Sequence, residues 1–182
     1  VGLTFTPDVF ACGVDIVGPS NINTLLATIP PYWAPMKRNF ALRVGDIDTA
    51  EGREFLASRS PITFVDRIVR PLLIAQGAND PRVKQSESDQ IVTAMQSKGI
   101  PVTYLLFPDE GHGFVRPVNN MAFTAVTEQF LAKHLGGRAE PIGDALKKST
   151  GKLQTGGEEY QEETPKITPE AKAPTAKPSR SR

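Results

Sequence analysis

Two apolar runs, PLLIAQG at Pro71–Gly77 and PVTYLLF at Pro101–Phe107, constrain the fold more than any other feature of the sequence. Each has the length of one strand, and neither alternates apolar with polar residues. Strands of that kind are covered on both faces, as in a parallel sheet. The segment between them reads as a helix. SESD at Ser86–Asp89 has the form of a capping box, Ile91, Val92 and Met95 share one face, and Gly99 followed by Pro101 closes it. A strand, helix, strand unit with a right-handed crossover puts both strand C-terminal ends on one edge of the sheet.

The flanking sequence extends the same pattern. FACGVDIVG, Phe10–Gly18, reads as a strand broken by Gly18-Pro19. NINTLLA reads as a short helix, followed by an irregular loop interrupted by Pro30, Pro31 and Pro35. AEGREFLASR forms a helix stopped at Pro61, and Val118, Ala122, Val126 and Phe130 mark a long helix over Val118–Leu135, closed by Gly136-Gly137. Residues 1–143 are therefore expected to form an α/β unit, a parallel sheet with flanking helices. Three strands are few for such a sheet, so further strands are expected from sequence preceding Val1. From residue 144 to Arg182 the chain turns to Lys, Glu, Thr and Pro, a composition that predicts a disordered tail.

Composition removes several function classes. With 182 residues, 39% of them hydrophobic, the chain is long enough for a globular core. A formal net charge of +1 offers no footprint for nucleic acid. Cys12 is the single cysteine, so an internal disulfide or a thiolate metal cluster is not available. No apolar run has the length of a membrane span, no leader pattern is visible, and the compartment stays undecided. Neither metal-ligand spacing nor a phosphate loop is present, so no cofactor is expected.

Chemistry gathers at the strand ends. PLLIAQG runs into ANDPRV, which carries Asp80; PVTYLLF runs into PDEGHGF, which carries Asp109, Glu110 and His112. Taken alone, Asp80 in Asn-Asp-Pro is an ordinary turn residue. Taken together, a carboxylate and an imidazole on one sheet edge can meet. The carboxylate accepts the proton of one ring nitrogen, and the other nitrogen becomes free to take a proton from a nucleophile. Asp109 and Glu110 are expected to be solvated turn residues. His134, near a helix C-terminus, is expected to be structural.

PLLIAQGANDPRV, then a helix, then KGIPVTYLLFPDEGHGF and a closing helix, resembles the C-terminal part of the prolyl oligopeptidase family. These are serine peptidases with an α/β-hydrolase catalytic domain, and the nearest branch is the acylaminoacyl-peptidase and dipeptidyl-peptidase type. ACGVDIVGPSNINTLLATIPPYW is similar to that branch too. The resemblance covers about residues 1–138 and implies that Asp80 is the triad acid and His112 the triad base. It also implies that Arg82 is a substrate-carbonyl donor, against the plainer reading of a surface turn residue. Tyr32 and Trp33 would border a substrate pocket or simply pack.

The sequence departs from the family at the nucleophile. The triad serine belongs in a G-x-S-x-G elbow, and none occurs in these residues; Ser20, in GPSN, lacks the spacing. The chain is therefore expected to be the C-terminal part of an α/β-hydrolase domain. It would pack on the missing strands and a β-propeller, and would be inactive on peptides by itself. An esterase or dienelactone-hydrolase-like enzyme, or a non-catalytic binding fragment, is the alternative.

Overall fold

The computed structural model describes residues 1–160. A short helix α1 (Gly2–Phe5) precedes β1 (Gly13–Ile16), which is followed by α2 (Ile22–Ala27) and a 3-10 turn over Pro31–Met36. Then come α3 (Lys37–Arg43), α4 (Ala50–Arg59) and a second 3-10 segment, Pro61–Arg67. The central unit is β2 (Leu72–Gly77), α5 (Gln85–Ser97) and β3 (Val102–Phe107). It leads into α6 (Pro117–Leu135), α7 (Ala145–Lys148) and β4 (Lys152–Thr155), with a last 3-10 turn at Gly157–Tyr160. The strands lie in the order β1-β2-β3-β4.

β1, β2 and β3 are mutually parallel, with Gly13 opposite Leu72 and Leu72 opposite Val102. This is the sheet that the two apolar runs require. Side chains alternate between its faces. Leu72, Ile74, Val102 and Tyr104 pack on Ile91, Val92 and Met95 of α5. Leu73, Ala75, Leu105 and Phe107 pack on Ala122, Val126 and Phe130 of α6. Both faces are covered, so no polar period is visible along either strand. Each fully buried Leu, Ile or Phe contributes about 1.5–3 kcal/mol.

Several local expectations change. The first strand is shorter than Phe10–Gly18, because Val17 at its end adopts φ +49°, a costly left-handed conformation for a β-branched residue. The proline-rich loop holds a 3-10 turn, and a helix not expected from the sequence, α3, follows it directly. At α5 the capping box does not form. The helix starts at Gln85 without a side-chain cap, and Glu87 and Ser88 are buried. The Ser88 hydroxyl donates to Gln76, while the Glu87 carboxylate accepts the backbone N–H groups of Ser20 (3.1 Å) and Asn21 (2.9 Å). Helix α5 thus clamps the chain that follows β1. Its C-terminus ends as expected on Gly99, at φ +67°.

The fold also reaches beyond the boundary at residue 144. β4 pairs antiparallel with β3, with Leu105 opposite Leu153, making the sheet mixed. Tyr160 is buried in the α6-side core, and Ile142, Leu146 and Leu153 pack against it. These scattered apolar residues give the segment enough burial to order, despite its polar composition. The remainder of the expected tail, 161–182, lies outside the described residues. Among the described residues, no helix is long and apolar enough to cross a membrane.

Candidate active site

β2 and β3 end side by side, and their exit loops are stitched together. The Ala78 N–H donates to the Phe107 carbonyl, and the Asn79 N–H donates to the Glu110 carbonyl, both at 2.9 Å. The Asn79 side chain adds a bond to the Pro108 carbonyl. Gln76, wholly buried, donates to the carbonyls of Gly77 and Val83 and so holds the first loop folded back on its strand.

Within this frame Asp80 and His112 meet. Asp80 is buried, and its Oδ2 lies 2.8 Å from His112 Nδ1. Its Oδ1 accepts the backbone N–H groups of Arg82 (2.8 Å) and Val83 (3.0 Å). The carboxylate is therefore fixed at both oxygens, one by its own turn and one by the imidazole. With Nδ1 engaged by a carboxylate, Nε2 is the nitrogen left to exchange a proton. The His112 side chain is 31% exposed, so the ring stands at the surface while its partner does not.

Arg82 enters through its backbone N–H, and the residue is exposed. Tyr32 and Trp33 form ring contacts with each other and, from Trp33, with Phe40. Ser20 is buried, and its hydroxyl donates to the Glu87 carbonyl at 2.6 Å, a structural bond. His134 packs edge-on against Phe130, one helical turn away.

Asp109 and Glu110 correct the expectation of solvated turn residues. Glu110 is 1% exposed, and its carboxylate accepts the N–H groups of Val115 (3.1 Å) and Arg116 (3.0 Å) and the Asn119 amide (2.8 Å). Asp109 is half-buried, pairs with Arg116, and accepts the Thr150 hydroxyl. That bond, ahead of the others, holds its carboxyl below the usual carboxylate range. Both acids sit where the N-terminus of α6 favours negative charge. Their turn-like sequence, Pro-Asp-Glu-Gly, hides this because the donors lie further along the chain.

A buried carboxylate holding an exposed imidazole at the C-terminal edge of a parallel sheet is equipped for general acid–base chemistry on a bound substrate. Known proteins are similar to this chain in sequence and in fold. The chain is 72% identical over 142 residues to dipeptidyl aminopeptidase BIII of Pseudoxanthomonas mexicana, covering 78% of this chain and 21% of that protein. It is 57% identical over 143 residues to dipeptidyl peptidase family member 6 of Caenorhabditis elegans, covering 78% and 19%. A puromycin-hydrolyzing peptidase of Mycobacterium tuberculosis superposes with a TM-score of 0.65 at 28% identity, over 75% of this chain and 20% of that one. The chain spans about a fifth of the length of the curated relatives it matches. Its sheet and flanking helices match those of α/β-hydrolase neighbours. Residues 1–138, which contain β1 to β3 and both loops, match the prolyl oligopeptidase family, and the chain belongs to that family.

Proposed function

We propose that this chain supplies the acid and the base of a serine peptidase triad, Asp80 and His112, to a serine carried on a segment outside these 182 residues. The observation that carries the reading is the 2.8 Å contact between the buried Asp80 carboxylate and His112 Nδ1. The absence of G-x-S-x-G from the sequence is the reason for looking elsewhere for the nucleophile.

In this reading His112 Nε2 takes the serine proton as the serine oxygen attacks a peptide carbonyl carbon. The imidazolium returns that proton to the leaving amine, and an acyl-enzyme remains. Water then attacks the acyl carbonyl while Nε2 accepts its proton, and the serine leaves with a proton from the same nitrogen. Asp80 keeps the tautomer and steadies the imidazolium throughout. Hydrolysis of this kind uses water and requires no cofactor. Arg82, exposed and two residues from Asp80, carries a guanidinium suited to hold a substrate carbonyl. The names of the similar proteins, dipeptidyl peptidases and a puromycin-hydrolyzing peptidase, support short peptides as the substrate class.

The test uses a longer polypeptide in which a G-x-S-x-G segment precedes Val1. Its kcat/KM is compared on a dipeptide anilide and on the matching ester. Amide hydrolysis, reduced about a thousandfold or more by His112→Ala, is the expected result. Ester hydrolysis without amide hydrolysis would replace the peptidase with an esterase.

A further inference from the structure

The buried carboxylate of Glu110 lies two residues from His112, yet its hydrogen bonds go to groups outside the Asp80–His112 pair. It closes the loop that carries the histidine: Glu110 precedes the loop apex, and Val115 and Arg116, whose N–H groups it accepts, follow it. Gly113 between them has φ +115°, a conformation few other residues hold without strain. The histidine therefore sits on a short turn whose two ends are pinned to one carboxylate.

That carboxylate is held in turn. Asn119, wholly buried in the first turn of α6, donates to Glu110 Oε1 at 2.8 Å and to Asp109 Oδ1 at 3.2 Å. Asn119 Oδ1 accepts the Thr150 N–H at 3.0 Å. The single Thr150 hydroxyl proton goes to Asp109, with the Asn119 oxygen at 3.1 Å as its other neighbour. Thr150 lies past residue 138, where the family match ends, between α7 and β4. Every polar atom of the Asn119 amide is thus used to connect the histidine loop to the C-terminal segment.

We propose that Glu110 is a positioning residue for His112, and that Asn119 and Thr150 make the segment beyond the family match a brace for the candidate catalytic loop. This rests on the reading of Asp80 and His112 as acid and base. Glu110 cannot be replaced by glutamine without conflict. Oε1 and Oε2 both face N–H donors, so an amide would set its own N–H groups against one set of them. Thr150→Val removes only the hydroxyl and keeps the shape.

The experiment is nitrogen-resolved NMR of the histidine rings in the 182-residue chain, with His134→Gln used for assignment. The readout is the exchange rate of the His112 Nδ1 proton, divided by the rates of the Leu73 and Leu105 core amides. Loss of global stability moves both, and loss of positioning moves only the ratio. Glu110→Gln is expected to raise the ratio about tenfold, the order of one charge-assisted hydrogen bond lost. Thr150→Val should raise it several-fold, and Thr150→Ser should restore it. Glu87→Gln, at an equally buried carboxylate on the other side of the sheet, should lower the melting temperature and leave the ratio unchanged. If Glu110→Gln and Thr150→Val change the ratio no more than Glu87→Gln does, the brace is overturned and the Asp80–His112 pair stands. A wild-type chain without a protected Nδ1 proton would overturn the pair itself and the brace with it.

Discussion

Gly77, the last residue of β2, lies so close to Gly111 that an added Cβ would stand 2.2 Å from the Gly111 carbonyl oxygen and 2.6 Å from that of Glu110. Both obstacles are backbone atoms of the histidine loop, so neither can rotate out of the way. The two loops can meet only because the residue at their crossing has no side chain. Gly77→Ala is expected to push them apart, at a cost of about 2–4 kcal/mol in urea unfolding, with loss of the protected His112 ring proton. Gly99→Ala makes the contrast. No atom lies within 4 Å of a Cβ there, so only the strain of its φ +67° is felt and the ring proton should be untouched.

β4 turns an edge strand into an inner one. Ending the chain at residue 138 keeps the entire family match, yet strips Leu146, Leu153 and Tyr160 from the α6-side core and bares the β3 edge. Such a chain should lose on the order of 3 kcal/mol of stability from the apolar burial alone and self-associate along β3. Calorimetry and light scattering check this. An unchanged melting temperature would show that the extension is not part of the cooperative unit.

Asp15 on β1 gives the pH dependence its sign. One of its oxygens occupies the space that a Cβ on Gly18 would need, and burial pushes its carboxyl above the ordinary carboxylate range, partly offset by the N-terminal ammonium. The folded chain then binds this proton more tightly than the unfolded chain. Its contribution is fully present below the ordinary value of 3.8 and is lost as pH rises through the folded value. Asp15→Asn should therefore raise the melting temperature at neutral pH and leave it unchanged at the acid end. Asp109 has the opposite sign. Its lowered carboxyl stabilises the fold above the ordinary value, and that support disappears as pH falls through the folded one.

Much of this architecture is legible in the residues, for definite reasons. β2 and β3 are covered on both faces, so their apolar runs announce a parallel sheet, and parallel strands bring their exit loops to one edge. Asp80 and His112 are found by that argument alone. Glu110, Glu87 and Asn119 are not, because their partners are backbone N–H groups or side chains brought in by the fold, up to 67 residues away for Glu87 and Ser20. Sequence shows a charge in a turn or on a helix and cannot show which N–H groups will face it. β4 stays hidden for another reason: KLQT carries one large apolar residue, and its pairing partner supplies the rest of its reason to be a strand.

The central claim is that Asp80 and His112 serve a serine held on another segment. Labelling by a fluorophosphonate probe tests it most directly, because the probe reports only a serine activated by its base. A longer polypeptide with a G-x-S-x-G segment before Val1 should be labelled, His112→Ala should abolish the labelling, and Asp80→Asn should slow it by about a thousandfold or more. The 182-residue chain should remain unlabelled. Labelling of that chain alone, or full labelling of the His112→Ala polypeptide, would contradict the account.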